Sequence, residues 1–265
     1  GLGDVYKRQA NAGSYTITNL SGVSIADGSN GGLASNYTLT GGTHNFTVNQ
    51  RAISLSGTRL YDATTNAAAS DLSTMANLVG SETLTLSGTG SIASANVSSN
   101  KTVTTGTLAL ADGSNGGLAA NYTLSGGTHQ LTVNQRPLIA TLARQYDATT
   151  TAAGSDLSSF NDLQGGETLS VSGSGTATSA NVANSIAMAN NNGTLALADG
   201  TGLASNYSLN STIINISQRV LNSSGSKIYD ANTDAIAANI TLSNLASSET
   251  PVSYTHLTLP TTRYV

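Results

Sequence analysis

The chain has 265 residues, a net charge of −4 at pH 7 and no cysteine, and charged residues make up only 9% of it. A disulfide framework and a thiolate metal site are therefore excluded, and there is no electrostatic footprint for nucleic acid or an anionic membrane. No apolar run approaches the ~20 residues of a membrane helix, and a solvent face of Ser, Thr, Asn and Gly points outside the cell.

From the N-terminus, residues 1–9 have no counterpart later in the chain, whereas the stretch from residue 10 onward is built of recurring segments. Asn36-Tyr37-Thr38-Leu39 reappears as Asn121-Tyr122-Thr123-Leu124 and Asn206-Tyr207-Ser208-Leu209. Val48-Asn49-Gln50-Arg51 reappears as Val133-Asn134-Gln135-Arg136 and Ile216-Ser217-Gln218-Arg219. Leu60-Tyr61-Asp62-Ala63-Thr64-Thr65 returns as Gln145-Tyr146-Asp147-Ala148-Thr149-Thr150 and Ile228-Tyr229-Asp230-Ala231-Asn232-Thr233, its tyrosines 85 and 83 residues apart. These markers make 10–50 the second half of a module, 51–135 and 136–218 two complete modules, and 219–250 the opening of another. After Glu249-Thr250 the register is lost. Residues 1–9 and 251–265 resemble translated sequencing-adapter tails and are read as non-native.

Within a module the pattern is β throughout. Ala52-Ile53-Ser54-Leu55-Ser56-Gly57 alternates apolar and polar, as do Leu84-Thr85-Leu86-Ser87, the run from Val103 to Leu110, and His129-Gln130-Leu131-Thr132-Val133. One face of each strand is thereby inward, which predicts burial of Leu84, Leu86, Leu108, Leu110, Tyr122, Leu124, Leu131 and Val133. Gly/Ser/Asn/Asp clusters such as Asp112-Gly113-Ser114-Asn115-Gly116-Gly117 read as loops. Ser70 to Leu78 allows one short helical turn at most, because its repeat at 155–163 is rich in poor helix formers. Five to seven short strands in 85 residues fit an all-β architecture of tandem small antiparallel β-sandwich (Ig-like) modules. The near absence of linker at Gln50-Arg51, Gln135-Arg136-Pro137 and Gln218-Arg219 predicts an elongated rod.

The Tyr-Asp-x-Thr-Thr opening, the mid-module Glu-Thr-Leu strand and the closing Asn-Tyr-Thr-Leu together resemble the YDG repeat of large bacterial filamentous haemagglutinin-like surface adhesins. The resemblance covers essentially all of 10–250. It implies a secreted or surface-anchored adhesin at the bacterial cell surface, associated with the outer membrane, in which the repeats serve as stalk. One departure stands out: the glycine of the family name is Ala63, Ala148 and Ala231. Since alanine avoids positive φ, that position is expected to be ordinary right-handed or extended backbone, or the chain belongs to a divergent branch.

The repeat-signature residues Tyr61, Asp62, Tyr146, Asp147, Tyr229, Asp230, Asn36, Tyr37, Asn121, Tyr122, Asn206 and Tyr207 are assigned structural roles. In that assignment the tyrosine ring lies in the core and the aspartate closes an Asx-turn. The loops of Asp27, Asp112 and Asp199 offer one carboxylate each, too few for calcium. His44 and His129 are equivalent, but Thr212 stands there in the third copy, so the modules share no zinc site or general base. Sequons such as Asn36-Tyr37-Thr38 suit chance in an Asn/Thr-rich chain. No catalytic residue, cofactor site or metal site is assigned, and the chain is read as no enzyme. The function expected is a stalk that projects a distal binding domain. Its partners are neighbouring modules of the same chain and, through the parent protein, host surface glycan or protein, with no nucleic acid and no membrane insertion. The alternative is an array of modules that each contact host glycan or protein directly, with avidity supplying strength.

Overall fold

A computed structural model describes residues 11–251 and the two-residue strand Leu257–Thr258. The reading of 1–9 and of most of 251–265 as non-native tails lies outside the described residues. Leu257–Thr258 pairs antiparallel with Asp234–Ala235. Strands and short 3-10 turns make up the regular structure, and no α-helix occurs among the described residues. None of them forms a helix long and apolar enough to cross a membrane. The chain divides into two compact units, Gly1–Leu60 with Thr64–Asn134, and Tyr61–Ala63 with Gln135–Val265.

The first unit holds a six-stranded sheet in the order Asn66–Ala68, Thr89–Ile92, Ser98–Thr104, His129–Asn134, Ser54–Leu60, Thr74–Ala76. Its centre is a parallel pair, with Leu55 opposite His129 and Leu60 opposite Asn134. The other pairings in the sheet are antiparallel. A separate antiparallel ribbon joins Leu84–Ser87 to Ala109–Asp112. Gly13–Thr16 pairs with Asn45–Val48, and every residue of Gly13–Thr16 is exposed.

The second unit repeats the plan. Its four-stranded sheet runs Leu157–Phe160, Arg136–Gln145, Tyr207–Ser217, Ala183–Ala187. The parallel pair registers Arg136 with Tyr207 and Gln145 with Ser217, with one irregularity between Leu138 and Ile139. The ribbon is Leu169–Ser172 with Ala196–Asp199. Period-two alternation buries Leu138, Ala140 and Leu142 from one strand and Thr212, Ile214 and Ile216 from its neighbour. Val171 and Leu195 join Ala140, Leu142, Ile186, Ile214 and Ile216 in one apolar cluster. Each valine, leucine or isoleucine among them contributes about 1.5–3 kcal/mol by leaving water.

The modules expected as small antiparallel β-sandwiches are all-β, but their strand directions are corrected: the sheets are small and mixed, with a parallel pair in each unit. A repeat's first and last strands run in the same direction, which needs a crossover of a dozen or more residues; the rest of the module supplies it. Of the eight apolar positions named for the first complete repeat, Leu84, Leu108, Tyr122, Leu131 and Val133 are buried, while Leu86, Leu110 and Leu124 are half-buried. The short helical turns are Ala69–Asp71 and Gly154–Asp156, and each leads into a strand, Thr74–Ala76 and Leu157–Phe160. The Asp71 and Asp156 carboxylates accept the N–H groups of Ala68 and Ala153, each at 3.2 Å, so the turn is capped locally and has no reason to lengthen.

Gly88 and Gly173 sit at the bend after the first ribbon strand with φ of +85° and +82°, and a Cβ on either would lie 2.2 Å from the carbonyl oxygen of Thr107 or Thr194. Left-handed backbone and a missing Cβ are both required. Gly173→Ala is expected to cost about 2 kcal/mol or more, read as a lower urea midpoint at unchanged slope.

Candidate functional site

In the second unit, the entrance of the parallel strand pair gathers a cluster of polar side chains. Arg136 begins one strand, Tyr207 begins the other, and Glu167 precedes the ribbon strand Leu169–Ser172. Tyr61, from the Tyr61–Ala63 segment of the same unit, packs edge-on against Tyr207 with ring centroids 5.3 Å apart and planes at 79°. Both phenols donate to one carboxylate, Tyr61 to Oε1 and Tyr207 to Oε2 of Glu167, each at 2.6 Å. The Gln164 N–H donates to the Tyr207 oxygen at 3.1 Å. Arg136 donates through Nε to the Tyr61 carbonyl at 2.6 Å and through Nη1 to Asp162 at 2.5 Å.

Both rings are almost fully buried, at 3% and 2% exposure. Burial, and then the hydrogen bond to Glu167, raise both phenol pKa values, that of Tyr207 to about 12. The neutral tyrosines act as hydrogen-bond donors to both oxygens of the Glu167 side chain.

The same arrangement recurs within this unit one repeat later. Tyr146 donates to Oε1 of Glu249, which is the main reason its pKa is raised. Arg219 donates through Nε to the Asn244 carbonyl at 2.8 Å and through Nη1 to the Tyr146 carbonyl at 3.4 Å. In the first unit Tyr122 donates to Oε2 of Glu82, the Val79 N–H donates to the Tyr122 oxygen at 3.1 Å, and Arg51 donates to the Asn77 carbonyl at 2.6 Å.

The loop that carries the inserted tyrosine has its own framework. Asp147 Oδ1 accepts the Thr149 N–H at 2.9 Å and its hydroxyl at 3.0 Å, while Arg144 pairs with Asp147 and donates to the Thr149 carbonyl at 2.6 Å. Desolvation alone would raise the Asp147 pKa, but the Thr149 hydrogen bonds and Arg144 hold it below the usual carboxylate range. In the next copy Asp230 Oδ1 accepts the Asn232 N–H at 3.2 Å, and Lys227 does the work of Arg144 by donating to the Asn232 carbonyl at 3.0 Å. Arg59 Nη2 likewise donates to the Thr64 carbonyl at 2.5 Å.

The expectation of ordinary backbone at the alanine is corrected: Ala63, Ala148 and Ala231 have φ of +61°, +63° and +60°. The turn keeps the left-handed geometry that favours glycine and accepts alanine at a cost.

The remaining sequence candidates separate clearly. Asn206 is buried, whereas Asn121 is half-buried, accepts the Ala12 N–H at 2.8 Å and donates to Asn11 at 3.2 Å. Asn36 and Tyr37 are exposed, as is Tyr229, at 90%. Asp62 lies in the inserted segment with Tyr61. Asp27, Asp112 and Asp199 each accept a backbone N–H at 2.7 Å, from Ala34, Ala119 and Ala204, and so cap a 3-10 turn. His44 and His129 bind the Leu39 and Leu124 carbonyls through Nε2. Among the described residues no three His, Cys, Asp or Glu gather as a metal site would require.

Glu82, Glu167, Glu249, Arg51, Arg136 and Arg219 were not singled out as site residues from sequence. The available signal was a charge that keeps its place through every copy of a charge-poor chain. Chemically the cluster is a clasp: a carboxylate and a guanidinium receive the hydroxyl and the carbonyl of one tyrosine.

Comparison with known proteins finds the YDG domain twice, at residues 45–130 and 129–214. No curated protein and no solved structure matches the chain.

Glutamine at 167 offers one acceptor oxygen where two phenols donate, so Glu167→Gln is expected to destabilise the chain by about 1–3 kcal/mol in urea titrations. Ala148→Gly removes the left-handed penalty of about 1–2 kcal/mol against an unfolded-state entropy cost of about 0.4–1 kcal/mol; a net gain of about 0.5–1 kcal/mol is expected from the same titration. The raised phenol pKa values mean that the folded state prefers neutral tyrosine. That contribution is complete below pH 10 and is lost as pH rises toward the folded Tyr207 value of about 12. Stability measured across this range should fall, and Tyr207→Phe should flatten the fall.

Proposed function

Because the chain belongs to the YDG domain family, carrying two tandem copies of that domain, we propose that it is a structural stalk segment of a large secreted or surface-anchored bacterial adhesin. The segment projects a distal binding domain from the cell surface and itself performs no catalysis. Successive modules form an elongated rod of Ig-like sandwich character, and the parent protein contacts host surface glycan or protein.

The observation that carries this reading is the recurrence of the Tyr–Glu–Arg clasp. Tyr61 and Tyr146 donate to Oε1 of Glu167 and Glu249 in successive copies, and their carbonyls accept from Arg136 through Nε and from Arg219 through Nη1. A repeated arrangement of mutually hydrogen-bonded groups suits a protein built for length, in which stability is a sum of repeat and neighbour contributions. The sequence markers, the small core within each repeat and the Ser/Thr/Asn-rich surface support the same conclusion.

Small-angle scattering on the full chain tests the shape. A compact chain of this length would have a radius of gyration of roughly 18 Å; a rod is expected to exceed about 25 Å, and a value near the compact figure would refute it. Antibodies against residues 51–218 test the location. They are expected to label intact, unpermeabilised cells of the producing bacterium, and labelling only after permeabilisation would overturn the surface reading.

A further inference from the structure

We propose that the joint between repeats is blind to the identity of the neighbour: a repeat of this chain accepts beside it any other that brings a closing Gln-Arg and a Tyr-Asp-Ala loop, so that whole repeats can be exchanged, added or removed without rebuilding the joint. The proposal goes beyond the stalk reading and does not depend on it. The bonds that cross from one repeat to the next end mainly on peptide groups. In the first unit Gln50, at the end of 10–50, donates through Nε2 to the Ala120 carbonyl of 51–135 at 3.1 Å, and Asn121 accepts the Ala12 N–H at 2.8 Å. In the second unit Gln135 stands where Gln50 stands and donates to the Ser205 carbonyl, again at 3.1 Å. The acceptor has changed from alanine to serine and the bond has not, because every residue carries the same carbonyl. Arg136 and Arg219 likewise bind the carbonyls of Tyr61 and Tyr146. Where the inserted loop engages a side chain of its receptor, the residue types recur, as in Tyr61 with Glu167 and Tyr146 with Glu249.

What differs between copies is satisfied inside its own repeat. The loop brace is Arg144 on the Thr149 carbonyl in one copy and Lys227 on the Asn232 carbonyl in another, yet the alanine between them has φ of +63° and +60°, so both present the same turn. The Asp112 carboxylate caps its 3-10 turn seven residues on and Asp199, in a shorter loop, five residues on, each at 2.7 Å. His129 binds the Leu124 carbonyl of its own repeat, and Thr212, which stands there in the next copy, is buried within its own sheet. Variation in loop length and residue type is thereby kept off the joint, and each neighbour meets the same donors and acceptors. Stability then depends on how many joints are made and not on which repeats make them.

Exchanging the order of the repeats tests this. A full chain assembled as 1–50, 136–218, 51–135, 219–265 keeps the composition, the length and both ends, and changes only which repeats are adjacent. Its urea midpoint is expected to lie within about 0.3 M of that of the natural order, the agreement found for independent, additive contributions. The exchanged order brings Tyr146 to Glu82, where Tyr122 donates to Oε2 as Tyr207 does in Glu167. Tyr146→Phe, which loses a hydrogen bond to a carboxylate, should therefore lower the midpoint of the exchanged chain at least as much as that of the natural one. A midpoint lowered beyond that margin, a chain that does not fold, or a smaller effect of Tyr146→Phe in the exchanged order overturns the proposal, because each means that a repeat recognises its particular neighbour. Any of these results would leave the scattering and labelling tests of the stalk untouched.

Discussion

Each repeat depends on the parallel pairing of the strand that opens it with the strand that closes it. Ser54–Leu60 beside His129–Asn134, and Arg136–Gln145 beside Tyr207–Ser217, bury Leu55, Leu131 and Val133 in one unit and Leu138, Ala140, Leu142, Ile214 and Ile216 in the other. Until that long-range pairing forms, the intervening ribbon has no apolar surface to cover, because Val171 and Leu195 pack on Leu142, Ile214 and Ile216. The pairing also places the polar cluster. Arg136 faces Tyr207 across the first register position of the pair, and Arg51 faces Tyr122 in the same way.

Glu82 is buried and Glu167 half-buried, and a carboxylate withdrawn from water needs hydrogen-bond donors that remain in place. Tyrosine suits this requirement: its ring adds apolar contact area while its hydroxyl supplies the donor, and it has few rotatable bonds to immobilise. Placing the guanidinium on the tyrosine carbonyl instead of on the carboxylate separates two tasks. The carboxylate fixes the tip of the inserted side chain, and the arginine fixes its backbone. Ion pairs stand where loop and receptor meet, as in Arg136 with Asp162, and where the loop is braced, as in Arg144 with Asp147 and Lys227 with Asp230.

Local chemistry was legible in the sequence, and strand direction was not. Alternation in Leu84-Thr85-Leu86 and His129-Gln130-Leu131-Thr132-Val133 identified strands and their inward face, because side-chain period is a direct result of backbone geometry. The Asx-turn at Asp147 comes from the reach of a short carboxylate to the N–H two residues on. Nothing in Ser54–Leu60 announces that its partner runs parallel and lies at the far end of the repeat, since direction is set by the path of the intervening chain. The site was half legible. Tyr61 and Tyr146 were marked by recurrence, but their partners Glu167 and Glu249 lie more than a full repeat away in sequence, beyond any local rule. Ala63, Ala148 and Ala231 show the reverse case, in which residue preference pointed away from positive φ and the surrounding hydrogen bonds imposed it.

The parallel closure of each repeat has a mechanical consequence. The chain enters at the start of the opening strand and leaves at the end of the closing one, and because the two run the same way, entry and exit lie at opposite ends of a single hydrogen-bonded ladder. Tension applied through the backbone therefore pulls the two strands past one another along their length, from Leu55 and His129 to Leu60 and Asn134 in one repeat and from Arg136 and Tyr207 to Gln145 and Ser217 in the next. The inter-strand hydrogen bonds are loaded together in shear, where an antiparallel closure would let them open one at a time like a zip.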